Sequence, residues 1–186
     1  GAGAKSVRLP LNPLTLIGAT TRTALISGPL QTRFGIVERI DFYTPTELAK
    51  IVLQNADFFS LPILAEAALS IGKRARGTPR IVKRLVRRVR DFAQVHKHTI
   101  IDAVLVEQAL LFLGIDDEGL TLLDRQVLTC LLTDFDGGPT GLDTLAAMTG
   151  EDKESLEEVC EPYLLRLGFL QKTSRGRQIP VKKIAY

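Results

Sequence analysis

Arg80 has the clearest claim to chemistry in this chain. It stands in Gly77-Thr78-Pro79-Arg80, where Thr78 suits an N-cap and Pro79 the first helical position. The arginine therefore falls in the opening turn of a helix. A cation there opposes the helix dipole by ~0.3–1 kcal/mol, so stability alone favours an acid. A helix N-terminus with a guanidinium beside it suits a phosphate instead. Gly77 reads as room for a backbone or a ligand to come close. Arg80 is expected to reach a nucleotide phosphate.

The helix that Arg80 opens is the main charge feature. Gly72 to His98 holds ten Lys/Arg against one acid, Asp91, in a chain whose formal net charge is +3. The remainder is net acidic. At roughly 100° per residue, Val82, Leu85, Val86, Val89, Phe92 and Ala93 share one face, and Arg80, Arg84, Arg87 and Arg88 the other. Such a face is commonly only a solvated one, and the place of Arg80 argues for more.

Two further groups are candidates. Thr20 and Thr21 follow the apolar run Leu14–Gly18, which reads as a buried strand. Small hydroxyl residues at the C-terminal end of such a strand stand where open α/β sheets bind ligands. Capping the next helix explains them equally well. The second group is Lys172, Arg175 and Arg177, around the Gly-turned hairpin FLQKTSRGRQIPV, with Lys153 at the start of the helix before it. From Asp102 to Glu161 there are fifteen acids and two bases, and after Glu161 six bases and no acid. The helix that would enter a DNA groove carries Glu154, Glu157, Glu158 and Glu161, which phosphates repel. The expected contact is through the hairpin to the DNA backbone, with little base reading. A purely protein-binding domain is the alternative.

These residues need elements to hold them. Residues 1–6, GAGAKS, imitate a phosphate-binding loop, but Ala4 interrupts it and VRLPLNP follows where a helix is required. A hairpin running into SVRL is the better reading. Thr23–Gly35 reads as a short helix broken at Gly28-Pro29, and Gly35–Phe42 as a strand closing on Tyr43. Thr44-Pro45-Thr46-Glu47 is a capping box. It opens the first of four helices, with the others at about 63–75, 78–95 and from Asp102. Then come a helix at about 120–135, a GGP turn, LDTLAAM, and DKESLEEVCEPYLLRLG before the hairpin. Three helices and a hairpin make a winged helix-turn-helix.

The 186 residues, 45% hydrophobic and 24% charged, suit one or two small soluble domains. No apolar run approaches the ~20 residues needed to cross a bilayer, and no secretory signal is recognisable. Cys130 and Cys160 read as reduced core thiols of a cytoplasmic protein. His96 and His98 have no ligand cluster at metal spacing. The abrupt strand-like start suggests a fragment.

In order along the chain, Gly18–Arg22 (GATTR), Pro29–Gly35 (PLQTRFG), Arg39–Tyr43 (RIDFY), Arg74–Ala93, Gly137–Ala147 and Glu161–Arg177 resemble the RuvB family. These are bacterial Holliday-junction branch-migration motors of the AAA-plus class. The resemblance implies a mainly α, α+β chain. Residues 1–43 would be the C-terminal part of a large α/β ATPase domain, 44–116 a four-helix lid, and 117–186 a winged-helix DNA-binding head. It places Thr20 at the sensor-1 position, Arg33 at the arginine finger, Tyr43 beside the nucleotide base and Arg80 at the sensor-2 position. Lys172, Arg175 and Arg177 match the wing residues that touch DNA. Residues 1–13 match half of the hairpin that binds RuvA.

The implied cofactor is ATP with Mg2+. The implied partners are double-stranded DNA at Holliday junctions, RuvA, RuvC in a resolving complex, and five further copies in a homo-hexamer; no membrane is implied. Recombination and DNA repair in the cytoplasm are the implied setting. The family reads Leu-Arg-Asp-Arg-Phe where this chain has Leu30-Gln31-Thr32-Arg33-Phe34, so an ion pair beside the finger is lost. The P-loop and the magnesium-binding Asp-Glu pair belong upstream of Gly1, so this chain alone is not expected to bind or hydrolyse ATP. The rival reading is a non-catalytic winged-helix DNA-binding regulator.

Overall fold

The computed structural model describes residues 12–180. The expected first hairpin and the imitation phosphate loop lie outside them, apart from Asn12 and Pro13. The chain divides into two compact units, Gly1–Ile40 and Asp41–Tyr186.

Within the first unit the described residues form a 3-10 turn, Thr23–Leu25, and a short helix α1, Gly28–Gln31. Gly28-Pro29 opens a helix here and does not break one, as proline in a first turn can. The strands expected at Leu14–Gly18 and Gly35–Phe42 do not form. A strand needs a ladder partner for its amides, and no described strand lies beside either segment. Their apolar side chains are correspondingly open, with Ile17 88% and Ile40 86% exposed.

Within the second unit, α2 (Pro45–Phe58), α3 (Ala65–Arg74), α4 (Pro79–Val95) and α5 (Ala103–Phe112) enclose one core. The capping box forms at α2: Glu47 N donates to Thr44 Oγ1 at 3.3 Å, and Thr44 N to Glu47 Oε2 at 2.8 Å. Asp102 caps α5 by accepting from Leu105 N at 2.8 Å. The apolar stripe of α4 is buried as its spacing predicts, with Val82, Leu85, Val86, Val89 and Ala93 in the core and Phe92 at its margin. Gly72 permits α3 to approach α2 closely. A Cβ there would stand 2.6 Å from Pro45 O and 3.0 Å from Ala49 N.

A second core is enclosed by α6 (Leu122–Phe135), α7 (Leu142–Thr149), and a third helix built of α8 (Lys153–Ser155), a π turn (Leu156–Cys160) and α9 (Glu161–Arg166). Proline lacks an N–H and its ring crowds the carbonyl four residues back. Ahead of Pro162 the helix widens, and Glu161 N bonds Leu156 O, five residues back. Strands β1 (Gln171–Thr173) and β2 (Gly176–Gln178) pair antiparallel, completing the winged helix-turn-helix. The GGP segment is more than a turn. Thr140 and Arg177 exchange both backbone hydrogen bonds at 2.8 Å, and Ile179 N donates to Gly137 O at 2.6 Å. Gly176 makes this approach possible, since a Cβ on it would fall 2.3 Å from Thr140 O.

Cys130 and Cys160 are buried free thiols. Burial, and next the neighbouring Asp124 carboxylate, push the Cys160 thiol far above its ordinary range. No described helix is long and apolar enough to cross a membrane.

Gly72→Ala places a methyl against backbone, which cannot rotate away. It should lower stability by about 1–3 kcal/mol through overpacking, despite alanine's better helix propensity. A melting temperature at or above that of the parent would show that α2 and α3 can separate at no cost.

Candidate functional site

In the first unit, Thr20 Oγ1 accepts from Arg22 N at 3.0 Å, a local hydroxyl turn in place of a helix cap. Arg33 follows α1, its backbone amide bonded to Leu30 O at 3.1 Å and its side chain exposed. Its segment folds back on the threonine segment, because Phe34 Cζ lies 3.7 Å from where a Cβ on Gly18 would stand. Gln31 donates to Thr23 O at 2.9 Å and Ile26 O at 3.0 Å, while Thr32 Oγ1 donates to Pro29 O at 3.1 Å. The residues in place of an ion pair therefore fix the short helix before Arg33 by hydrogen bonds to carbonyls.

In the second unit, Tyr43 and Arg80 are brought to one helix start. Tyr43 N donates to Gly77 O at 3.0 Å, and Arg80 lies in the first turn of α4 just beyond. Thr78 takes the N-cap conformation without a side-chain cap bond, so its helix end keeps free amides. Tyr43 is 42% exposed and Arg80 is exposed. Of the two uses its sequence position suggested, Gly77 serves the approach of the chain itself, Tyr43 N bonding Gly77 O. At φ +72°, a Cβ would stand 2.8 Å from Phe42 Cβ and 3.0 Å from Arg166 Nη1, so the space is filled by the protein itself.

What fills that space is a stack the sequence reading missed. Arg166 lies over the Phe42 ring at 4.0 Å and the Tyr163 ring at 4.9 Å, and Arg76 lies over the Tyr163 ring at 4.4 Å. Arg166 Nη2 donates to Arg76 O at 2.7 Å, and Tyr163 OH to Glu118 O at 2.5 Å. Arg76 is ion-paired to the buried Asp124 and donates from Nε to Gly119 O at 2.9 Å. Arg74 reaches Glu107 at 2.6 Å and Asp117 at 2.5 Å. Burial pushes the Tyr163 phenol up, against the pull of the two guanidiniums. Asp124 lies three residues after the N-cap Thr121 and completes a capping box. The Thr-x-x-Asp spacing was the available signal.

The hairpin cations are less free than their number suggested. Arg177 Nε meets Glu161 Oε1 at 2.6 Å, with its side chain 16% and that of Glu161 3% exposed. Lys172 Nζ reaches Glu161 Oε2 at 2.5 Å and Glu157 Oε1 at 3.5 Å. Lys153 is paired with Asp143. Arg175 is exposed at the hairpin tip, and its side chain has no acidic partner among the described residues. Two of the four glutamates read as a repulsive face, Glu157 and Glu161, in fact hold the hairpin through Lys172 and Arg177.

Three family models match consecutive parts of the chain: the Holliday junction DNA helicase RuvB P-loop domain over 1–40, the RuvB AAA lid domain over 43–116, and the RuvB C-terminal winged helix domain over 117–186. The Holliday junction branch migration complex subunit RuvB of Lawsonia intracellularis (strain PHE/MN1-00) is 48% identical over 182 residues, 98% of this chain and 53% of that protein. The solved structure of the Thermotoga maritima RuvB Holliday junction branch migration motor matches with a TM-score of 0.79 at 47% identity, covering 92% of this chain and 58% of that one. The chain thus spans about half the length of the curated relative it matches.

Removing a hydrogen-bonded charge from the Arg177–Glu161 pair should cost about 1.5–3 kcal/mol. Arg177→Gln and Glu161→Gln are therefore expected to lower the melting temperature, and Arg175→Gln to leave it unchanged. Equal melting of all three proteins would mean that the hairpin is not held by Glu161.

Proposed function

This chain belongs to the RuvB family, and on that premise we propose that the protein carrying it is an ATP-driven motor that moves four-way DNA junctions. The observation that carries the reading is the Tyr43–Gly77 backbone bond, which brings Tyr43 to the helix start that holds Arg80, a guanidinium with no acidic partner among the described residues. That arrangement suits a nucleotide, with the ring against the base and Arg80 on a phosphate.

ATP, with Mg2+ on its phosphates, supplies the free energy for the motor. Among the described residues no three or more His, Cys, Asp or Glu gather to hold a metal. Tyr43 is assigned to the base and Arg80 to a phosphate, and Mg2+ would be carried by the nucleotide. Arg33, exposed on its short helix, is assigned to the transferred phosphoryl group in a neighbouring copy of a hexameric ring, where it would neutralise charge that develops in the transition state. Thr20 is assigned to orienting the attacking water.

Residues 44–116 act in this reading as a lid and 117–186 as a head, with 1–43 part of the ATPase domain. The lid senses nucleotide through Arg80, and the stack of Arg76, Tyr163, Arg166 and Phe42 carries its movement to the head. Arg175 at the hairpin tip grips a DNA phosphate. Lys172 and Lys153 are assigned to DNA beside it but share their charge with acids, and Arg177 supports the hairpin through Glu161. Work on junctions in recombination and repair, beside RuvA and RuvC in the cytoplasm, completes the proposal.

In the full-length protein, Arg33→Ala should lower ATP turnover by ~10³-fold or more while nucleotide binding is kept, since a finger acts on the transition state. Arg80→Ala should weaken binding and turnover together. Both should stop branch migration of a synthetic four-way junction, read on a native gel. Unchanged turnover in both variants would end the motor reading.

A further inference from the structure

The exposed face of α4 carries more unpaired charge than the hairpin does. Arg80, Lys83, Arg84, Arg87 and Arg88, with Arg90 and Asp91 at the far end, line an open groove of about 550 Å³. Asp91 is the one acid there; it pairs with Arg90 at 2.9 Å and reaches Arg88 at 3.9 Å. Arg80, Lys83, Arg84 and Arg87 have no acidic partner among the described residues. Elsewhere in this unit Arg74, Arg76 and Arg177 each meet a carboxylate. Along α4 the fold leaves a row of like charges facing solvent, at the cost of their mutual repulsion.

We propose that this face is a second binding surface for the duplex DNA backbone, separate from the hairpin tip. Arg80, Arg84 and Arg87 fall within about 40° of one line along the helix. At ~1.5 Å per residue the row from Arg80 to Arg87 is roughly 10 Å long. A duplex carries one charge per ~1.7 Å of its axis, so a row of that length meets several phosphates. Guanidiniums suit this partner because each can give two parallel hydrogen bonds to a phosphate. With Lys172 and Arg177 of the hairpin and Lys153 before it tied to carboxylates, Arg175 is the one cation of the described hairpin without an acidic partner, too little charge for a sequence-independent grip. Arg80 faces the nucleotide in the reading above, which leaves Arg84, Arg87 and Arg88, with Lys83, for DNA. The choice of DNA as the polyanion rests on the motor reading; the surplus of free cations does not.

The test is a salt titration of the 186-residue chain on mixed-sequence duplex DNA, with Arg175→Gln alone and with Arg84→Gln, Arg87→Gln and Arg88→Gln together. All four side chains are exposed, and circular dichroism would confirm that both variants fold. Each phosphate contact contributes ~0.9 to the slope of log affinity against log salt. The triple variant should lose about two to three from that slope and at least tenfold in affinity at low salt, and Arg175→Gln about one. A slope lowered by Arg175→Gln and untouched by the triple variant would overturn the second surface and leave the head reading intact. A slope lowered only by the triple variant would keep the surface and remove the hairpin as a contact. If the parent chain self-associates, and the triple variant disperses it without changing DNA affinity, the face binds another copy of the chain and the proposal is wrong. No binding by the parent chain at low salt would overturn both readings.

Discussion

The ion pair of Arg76 with Asp124 is the contact on which the arrangement of the second unit depends. The Arg76 side chain is 11% and that of Asp124 1% exposed, so neither charge can turn to water for solvation. Breaking such a pair from one side leaves an uncompensated buried charge, at about 3–5 kcal/mol, whereas exposed ion pairs contribute about 0–1 kcal/mol. The pair also joins the two cores. Arg76 lies between α3 and α4, Asp124 in the first turn of α6, and the same carboxylate accepts from Thr121 N at 2.6 Å. One acid thereby caps a helix of the second core and fixes the chain leaving a helix of the first.

The neighbouring contacts follow from that junction. Gly119, at φ +75°, lets the connecting backbone lie against the end of α3, where a Cβ would meet Arg74 O at 2.9 Å. Arg76 then stands against the Tyr163 ring, and Arg166 lies over both Tyr163 and Phe42. Individually these aromatic contacts contribute about 0.5–1 kcal/mol at exposed positions. Their importance is geometric: Phe42 leads directly into Tyr43, and Arg166 ends the helix that enters the hairpin. A shift at the start of α4 must therefore either move α9 with it or break a buried network. On energetic grounds the first is the easier course.

Local signals were legible in the sequence wherever short-range chemistry decides. The Thr44 capping box, the Pro79 start and the buried stripe of α4 need only neighbours three or four residues away. The hairpin turn at Ser174-Arg175-Gly176 is of the same kind. Leu14–Gly18 and Gly35–Phe42 were misread because strand composition records what a segment can pair with, not whether a partner lies beside it. At Gly77 the sequence left a backbone and a ligand as alternatives, because a glycine open to ligand and one approached by a distant part of the chain look alike in sequence. Glu161 and Arg177 are sixteen residues apart, and Arg76 and Asp124 forty-eight, so no local pattern announces either pair. The Thr121 to Asp124 spacing was visible, but its second role required the tertiary fold.

Charge summed by segment proved a poor guide to which charge is free. Residues after Glu161 carry bases and no acid, yet Lys172 and Arg177 meet carboxylates from the helix before them. That helix looked too acidic to sit beside DNA, yet Glu161 is buried and satisfied by those same two cations. Among the described residues of the hairpin, bases and acids thus largely cancel, leaving Arg175 as the open cation. The basic helix differs because its apolar stripe consumes one face, while Asp91 at the far end answers only Arg88 and Arg90. From Arg80 to Arg87 it keeps its charge because no acid among the described residues reaches it. Free charge is therefore set by which carboxylates the fold can bring within reach, and for Arg80, Lys83, Arg84 and Arg87 it brings none.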